Sequence, residues 1–164
     1  MKLLYLLFIL ILFFDQAVCQ TASTNAIGRV NVIQPLSITS TGGALDFGEI
    51  VLTGSTLLYQ LSPANGKFFR IIGNPGRSVT ISFNQVTLNN SNWATTNGGA
   101  LGTLLFSPQV VNNLNSPIIN GNAYPLQASG SVAILDIRVG GAITVNAAQP
   151  QGDYTGIFII SVSY

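Results

Sequence analysis

Apolar and polar residues alternate along SVTISF (Ser78–Phe83). Val79, Ile81 and Phe83 fall on one side of an extended chain, and Ser78, Thr80 and Ser82 on the other. Successive side chains of a strand point to opposite faces, so this pattern predicts a strand buried on one face and wet on the other. The same alternation closes the sequence. In QGDYTGIFIISVSY, Phe158, Ile160, Val162 and Tyr164 share one side, and Ile159, Ser161 and Ser163 the other. No apolar period of 3.6 residues is sustained between caps, so no long helix is expected.

Short alternating or β-branched runs fill the rest of the chain, punctuated by Gly, Pro and Asn. AIGRVNVIQ (26–34) and LSITS (36–40) are separated by Pro35, which has no N–H to give a ladder. Gly42-Gly43 turns the chain into LDFGEIV. TLLYQL ends at Pro63, and KFFRII ends at Gly73-Asn74-Pro75-Gly76, where proline fixes one dihedral and glycine frees others. Residues 89–100 read as a polar loop around the only tryptophan, Trp93. GTLLFS reads as a strand, followed by irregular chain through PQVVNNLNSPIINGNAYP. SVAILDIRV, a turn at Gly140-Gly141, AITVNA and the loop AQPQGD lead to the closing strand. The sum is roughly eight to ten short strands joined by turns, the pattern of an all-β sandwich or barrel.

The first residues follow another logic. In MKLLYLLFILILFFDQAVCQ, Lys2 supplies a positive end, residues 3–14 are apolar, and Ala17-Val18-Cys19 offers modest side chains before a cut. This predicts an export signal over residues 1–19. The apolar run falls well short of the roughly 20 residues of a membrane-spanning helix, and Asp15 ends it abruptly. A lipoprotein signal at Cys19 needs a branched apolar residue three positions earlier and a small one just before it. Gln16 and Val18 stand there instead. The expectation is one domain over residues 20–164, exported to the periplasm, the cell surface or the medium. It retains no cysteine and is long enough to bury a core without disulfides.

Composition then removes most chemistry. Beyond the signal, the acids are Asp46, Glu49, Asp136 and Asp153, the bases are Arg29, Lys67, Arg70, Arg77 and Arg138, and the chain has no histidine. Dispersed bases and a net charge of +1 give no footprint for nucleic acid, while a net charge near zero favours association. A hydrolytic triad lacks its usual base. A glycosidase needs two carboxylates flanking a sugar, but Asp46 sits beside a glycine turn in LDFGE, where aspartate bonds the local backbone. Asp153 follows Gly152 in a loop, and Asp136 is expected to pair with Arg138 on the same strand face. Zinc has no Cys or His to bind, and no calcium loop or phosphate-binding glycine motif is present. No enzyme activity, cofactor or metal is therefore expected. Asn89-Asn90-Ser91 fits a glycosylation sequon.

Trp93 and Tyr124 among amide-rich loops raise a different class of function, a monomeric extracellular module that stacks carbohydrate on Trp93. The plainer alternative is that Trp93 folds back over one end of the sandwich.

Three stretches carry a resemblance: LDFGEI (45–50), FFRIIGNPGRSVTISF (68–83) and VGGAITVNAAQPQGDYTGIFIISVSY (139–164). Together they resemble the bacterial DUF4402 family, with the closing motif the most specific part. The resemblance implies a secreted, immunoglobulin-like, pilin-like antiparallel β-sandwich, with no catalytic residues to carry over. One departure stands out: the family often has a small or apolar residue where this chain has Arg70.

The resemblance also bears on the closing strand, since chaperone-usher pilins end on an alternating apolar strand with a glycine upstream and an aromatic near the end. Gly152, Tyr154, Phe158, Ile160, Val162 and Tyr164 thus form a candidate assembly strand. Ala26, Gly28, Val30 and Val32 share a side and form a candidate N-terminal donor strand, unless they are the first strand of their own sandwich. Strand addition of this kind completes an exposed sheet edge with a strand from a neighbour. The expected function is a non-catalytic surface subunit, pilin- or fimbria-like, partnered by itself, other subunits or a periplasmic chaperone. An outer-membrane barrel, which can also end on an alternating strand, is a further alternative. Its strands should show an apolar outer band between aromatic girdles, whereas several here are polar on their second face.

Overall fold

The computed structural model describes residues 28–30 and 32–164. The export signal read at 1–19 and Ala26 of the candidate donor strand lie outside the described residues. The chain divides after Val32, and every strand among the described residues belongs to Ile33–Tyr164. Gly28, Arg29, Val30 and Val32 form neither helix nor strand, and the side chains of Val30 and Val32 are exposed. The reading of 26–34 as a regular strand is therefore not met in its described part: alternation assigns faces, but only a hydrogen-bonded partner makes a strand.

In chain order the strands are β1 (Ser37–Thr41), β2 (Leu57–Leu61), β3 (Lys67–Gly73), β4 (Ser78–Phe83), β5 (Val86–Asn89), β6 (Thr103–Asn112), β7 (Ala123–Pro125), β8 (Gln127–Ser129), β9 (Val132–Val145) and β10 (Ile160–Ser163). A 3₁₀ turn, Pro63–Asn65, joins β2 to β3, and a helix, α1 (Ser91–Asn97), follows β5. All strand pairings among the described residues are antiparallel. The large sheet runs β1-β3-β9-β6-β5, with β2 and β8 also on β9, and the small sheet runs β10-β4-β7. This is an all-β sandwich.

β9 organises the large sheet because it is long enough to serve two neighbours on each side. β3 pairs with its first half (Gly73↔Ala133 to Lys67↔Val139) and β2 with its second (Leu61↔Gly141 to Leu57↔Val145). β6 covers Ile137 to Ile143 from the opposite side. Gly140 and Gly141, expected as a turn, instead lie inside this continuous strand. The reason is close approach. A Cβ on Gly140 would strike the backbone of Leu61 and Ser62 where the chain leaves β2, and one on Gly141 would strike the carbonyl of Ser107. Glycine here admits neighbouring backbone rather than reversing the chain.

Two other expectations change. Pro108–Asn112 (PQVVN) continues β6 instead of being irregular. Pro108 is tolerated because it faces Gly141 of β9 after the β5 pairing has ended at Phe106, so its missing N–H costs no ladder bond on that side. The polar loop around Trp93 contains α1. Asn89 Oδ1 accepts from the Ser91 N–H, the side chains of Thr95, Thr96 and Asn97 bond back to carbonyls four residues earlier, and Gly98 ends the helix at φ +69°. A polar helix of about two turns has no apolar stripe to reveal it.

Odd-numbered residues of β9 face the core. Leu135, Ile137 and Val139 pack with Ile71 of β3, Val79 and Ile81 of β4 and Val110 of β6, so the main cluster draws on both sheets. A second cluster of Leu104, Phe106, Ile143 and Val145 lies beside it. Phe158 packs against both, edge-on to Phe106 with ring centroids 5.9 Å apart.

Candidate functional site

The closing strand pairs within its own chain. Ile160 faces Phe83, Ser161 faces Ser82, Val162 faces Ile81 and Ser163 faces Thr80. The expected alternation holds. Phe158, Ile160 and Val162 are half-buried against the main cluster, while Ile159, Ser161 and Ser163 are exposed.

Hydrogen-bond parity fixes which backbone groups of β10 are engaged. The Ile81 N–H donates to the Asn122 carbonyl, the Ile81 carbonyl accepts from the Gly121 N–H, and the Phe83 N–H donates to Asn120 Oδ1. Those odd residues of β4 therefore face away from β10, and Thr80 and Ser82 face toward it. In an antiparallel ladder, hydrogen-bonded and non-bonded pairs alternate. Ser161 and Ser163 thus carry the bonds to β4, and the N–H and C=O groups of Ile160 and Val162 point to the other side. Among the described residues no strand pairs with that side. Among those residues the edge is an unfilled hydrogen-bonding row running beside half-buried apolar side chains.

Tyr164 fastens the end of this strand to the β3–β4 turn. In that turn Pro75 and Gly76 occupy the central positions, with Gly76 at φ +74° and the Arg77 N–H returning to the Asn74 carbonyl. The Tyr164 hydroxyl accepts from the Asn74 N–H at 2.9 Å. The Arg77 guanidinium lies over its ring at 5.9 Å, and a Cβ on Gly73 would lie 2.5 Å from its hydroxyl. Tyr164 is still half exposed. Leu36, just before β1, also approaches Gly73, so the start of β1 and the end of β10 meet at one corner. Leu36 and Ile38 join Ile160 and Val162 among the half-buried residues that rim the main cluster.

The upstream part of the motif is held by a buried polar knot. Asn90, fully buried, donates from Nδ2 to the carbonyls of Ala100 (3.0 Å) and Gln151 (2.8 Å), and its Oδ1 accepts from the Gly102 N–H (2.8 Å). Gln149 Nε2 donates to the Tyr154 hydroxyl at 2.8 Å, and that hydroxyl donates to the Pro150 carbonyl at 2.6 Å. Gly152, at φ +140°, sits under Trp93 and Asn90; a Cβ there would lie 2.9 Å from the indole. Gly99 approaches the same six-membered ring. Trp93 is half-buried, packed against two glycines. Tyr124 is half-buried on the main cluster, and its hydroxyl accepts from the Ile119 N–H.

An ion pair lies elsewhere. Arg70 and Asp136 face each other across β3 and β9 and form two bonds, Nε to Oδ1 and Nη2 to Oδ2, each 2.7 Å. This corrects the expected Asp136–Arg138 pairing: directly opposed residues on neighbouring strands lie closer than residues two apart along one strand. The hydrogen bond to Asp136, and then its charge, raise the Arg70 pKa above its ordinary value. Asp46 bonds its local backbone as expected, with Oδ1 accepting from the Gly48 N–H. No group of three or more His, Cys, Asp or Glu side chains is gathered to hold a metal among the described residues. Asn74, Arg77, Asn90 and Gln149 were missed in the sequence, where they are indistinguishable from other turn and loop residues.

Fold and edge together define the class: an all-β sandwich of two antiparallel sheets, the smaller of which ends on the chain's closing strand. Within that class, the model of the family described as Domain of unknown function (DUF4402) matches residues 21–164, and the chain belongs to that family. No curated protein matches it.

Proposed function

We propose that the chain is an exported, non-catalytic structural subunit, pilin- or fimbria-like, that associates by strand addition at the outer edge of β10. The supporting observation is the row of outward backbone groups at Ile160 and Val162 beside half-buried Phe158, Ile160 and Val162. An added strand gains main-chain bonds from the row and places alternate side chains over the apolar rim. Such an edge is a liability in a solitary protein, which favours a partner. The donor in this reading is the segment holding Ala26, Gly28, Val30 and Val32 of a second copy, with a periplasmic chaperone or another surface subunit as the alternative donor. The leader at 1–19 supplies export, and the sparse charge favours association.

Val162→Pro tests this. It removes an outward N–H and leaves the Ser161 and Ser163 bonds to β4 in place. Residues 20–164 are expected to form a concentration-dependent ladder by cross-linking and light scattering, and Val162→Pro is expected to reduce it to monomer while the urea midpoint moves little. Deleting residues 20–32 should act likewise if those residues donate. A ladder unchanged by Val162→Pro, or a parent chain that stays monomeric at every concentration, would overturn the proposal.

A further inference from the structure

The outer face of the large sheet carries a slot that assembly at β10 does not use. It is a depression of about 370 Å³ over the second half of β9, within the roughly 300–1,000 Å³ range of small-ligand sites. Its lining falls into cross-strand rows. Leu58 of β2 faces Thr144 of β9, and continuing the β6–β9 register sets Leu105 on the far side of Thr144. Ser107 faces Ala142 in the next row, and the same continued register sets Thr103 beside Asn146 in the row beyond. Leu58 and Leu105 remain 59% and 51% exposed. β2 and β6 stand two strand spacings apart, about 9–10 Å. The two leucines thus form apolar walls above a low floor of Ala142 and Thr144, with hydroxyl and amide groups at both ends.

We propose that this slot binds a neutral carbohydrate, one pyranose ring seated edgewise between Leu58 and Leu105. A pyranose has C–H faces and a hydroxyl rim, and the slot offers apolar walls to the faces. Thr103, Ser107, Thr144 and Asn146 supply paired donor and acceptor capacity to the rim. Other ligand classes fit less well. None of the lining side chains is charged, so an acidic or basic ligand gains no ion pair. A peptide strand finds no edge on the floor of the slot, because β9 is paired on both sides and β6 is paired with β5 at Leu105, and the outer edge of β2 lies beyond the Leu58 wall. A purely apolar ligand would cover the hydroxyls and the amide without replacing their bonds to water. The Gln85 amide, bonded to the Ser107 hydroxyl at 3.0 Å, holds that hydroxyl at the rim.

The test is a titration of the ¹⁵N-labelled exported chain with maltohexaose, cellohexaose, laminarihexaose and chitohexaose, each separately, with hexagalacturonate and octanol as charged and apolar comparisons. At least one neutral hexasaccharide is expected to shift the amides of residues 103–107 and 142–146 saturably. Thr144→Trp, which fills the floor, and Leu105→Ala, which removes a wall, should each weaken binding at least tenfold. Both alter side chains at an exposed face, and an unchanged urea midpoint checks that the fold survives. Trp93→Ala should leave the affinity unchanged. The proposal fails if none of the four neutral sugars binds, or if hexagalacturonate or octanol binds in their place. It also fails if binding survives both slot variants, or if Thr144→Trp changes only the oligomeric state.

Discussion

Replacing Asn90 by alanine deletes a side chain that ties three separate backbone segments together. Asn90 is fully buried, and its amide satisfies the Gly102 N–H and the carbonyls of Ala100 and Gln151. In the Asn90→Ala variant all three backbone groups lose that partner at once. A hydrogen bond contributes about 0.5–1.5 kcal/mol net, and a buried group left unpaired costs about 1–3 kcal/mol. Part of this is recovered if water enters the vacated space. The expected loss is about 2–4 kcal/mol, which for a domain of this size lowers Tm by about 6–14 °C. Urea unfolding followed by tryptophan fluorescence measures it, because Trp93 stands beside Asn90 and Gly152. The slope m should stay constant while the midpoint falls. Asn90→Asp, which keeps one acceptor and loses both donors, should be no milder at neutral pH. A loss below about 0.5 kcal/mol would refute the reasoning, since it would mean the three backbone groups are no worse off without the amide.

Gly140→Ala and Gly141→Ala each drive a methyl group into fixed backbone. Each should cost at least the about 1–3 kcal/mol of an overpacked core, read as a lower urea midpoint or loss of soluble protein; a midpoint within error of the parent would contradict the packing. Tyr164→Phe keeps the ring under Arg77 and removes the acceptor for Asn74. At a half-exposed site the expected loss is near the lower end of about 0.5–1.5 kcal/mol, and calorimetry showing a gain would be inconsistent with a bond there. Arg70→Met and Asp136→Asn should be non-additive in a double-mutant cycle of urea midpoints, because each single change strands the same partner. Strict additivity would count against the pair.

The legible part of this protein was the part governed by local alternation. SVTISF and IFIISVSY each announce which side chains face inward, and the structure places Val79, Ile81, Phe158, Ile160 and Val162 accordingly. The turn signal at Gly73–Gly76 was equally visible, because proline and glycine restrict or release the backbone whatever surrounds them. The candidate site was half legible. Its closing strand could be marked residue by residue, but Asn74 and Arg77, which grip Tyr164, lie about ninety positions away in sequence. Trp93 was noticed for its chemistry, yet Gly152, which packs against it, comes from a loop about sixty residues away.

What the sequence determined by itself was the class: strands rather than helices, and faces rather than partners. Tertiary structure decided the rest. Gly140-Gly141 read as a turn until β2 and β6 closed on it from both sides, and Asp136 turned to Arg70 because a neighbouring strand placed that residue directly across. The physical reason is the same in each case. Alternation and turn propensity act over a few neighbouring residues, whereas close approach, ion pairing and the identity of a sheet edge depend on which distant strands the fold brings side by side.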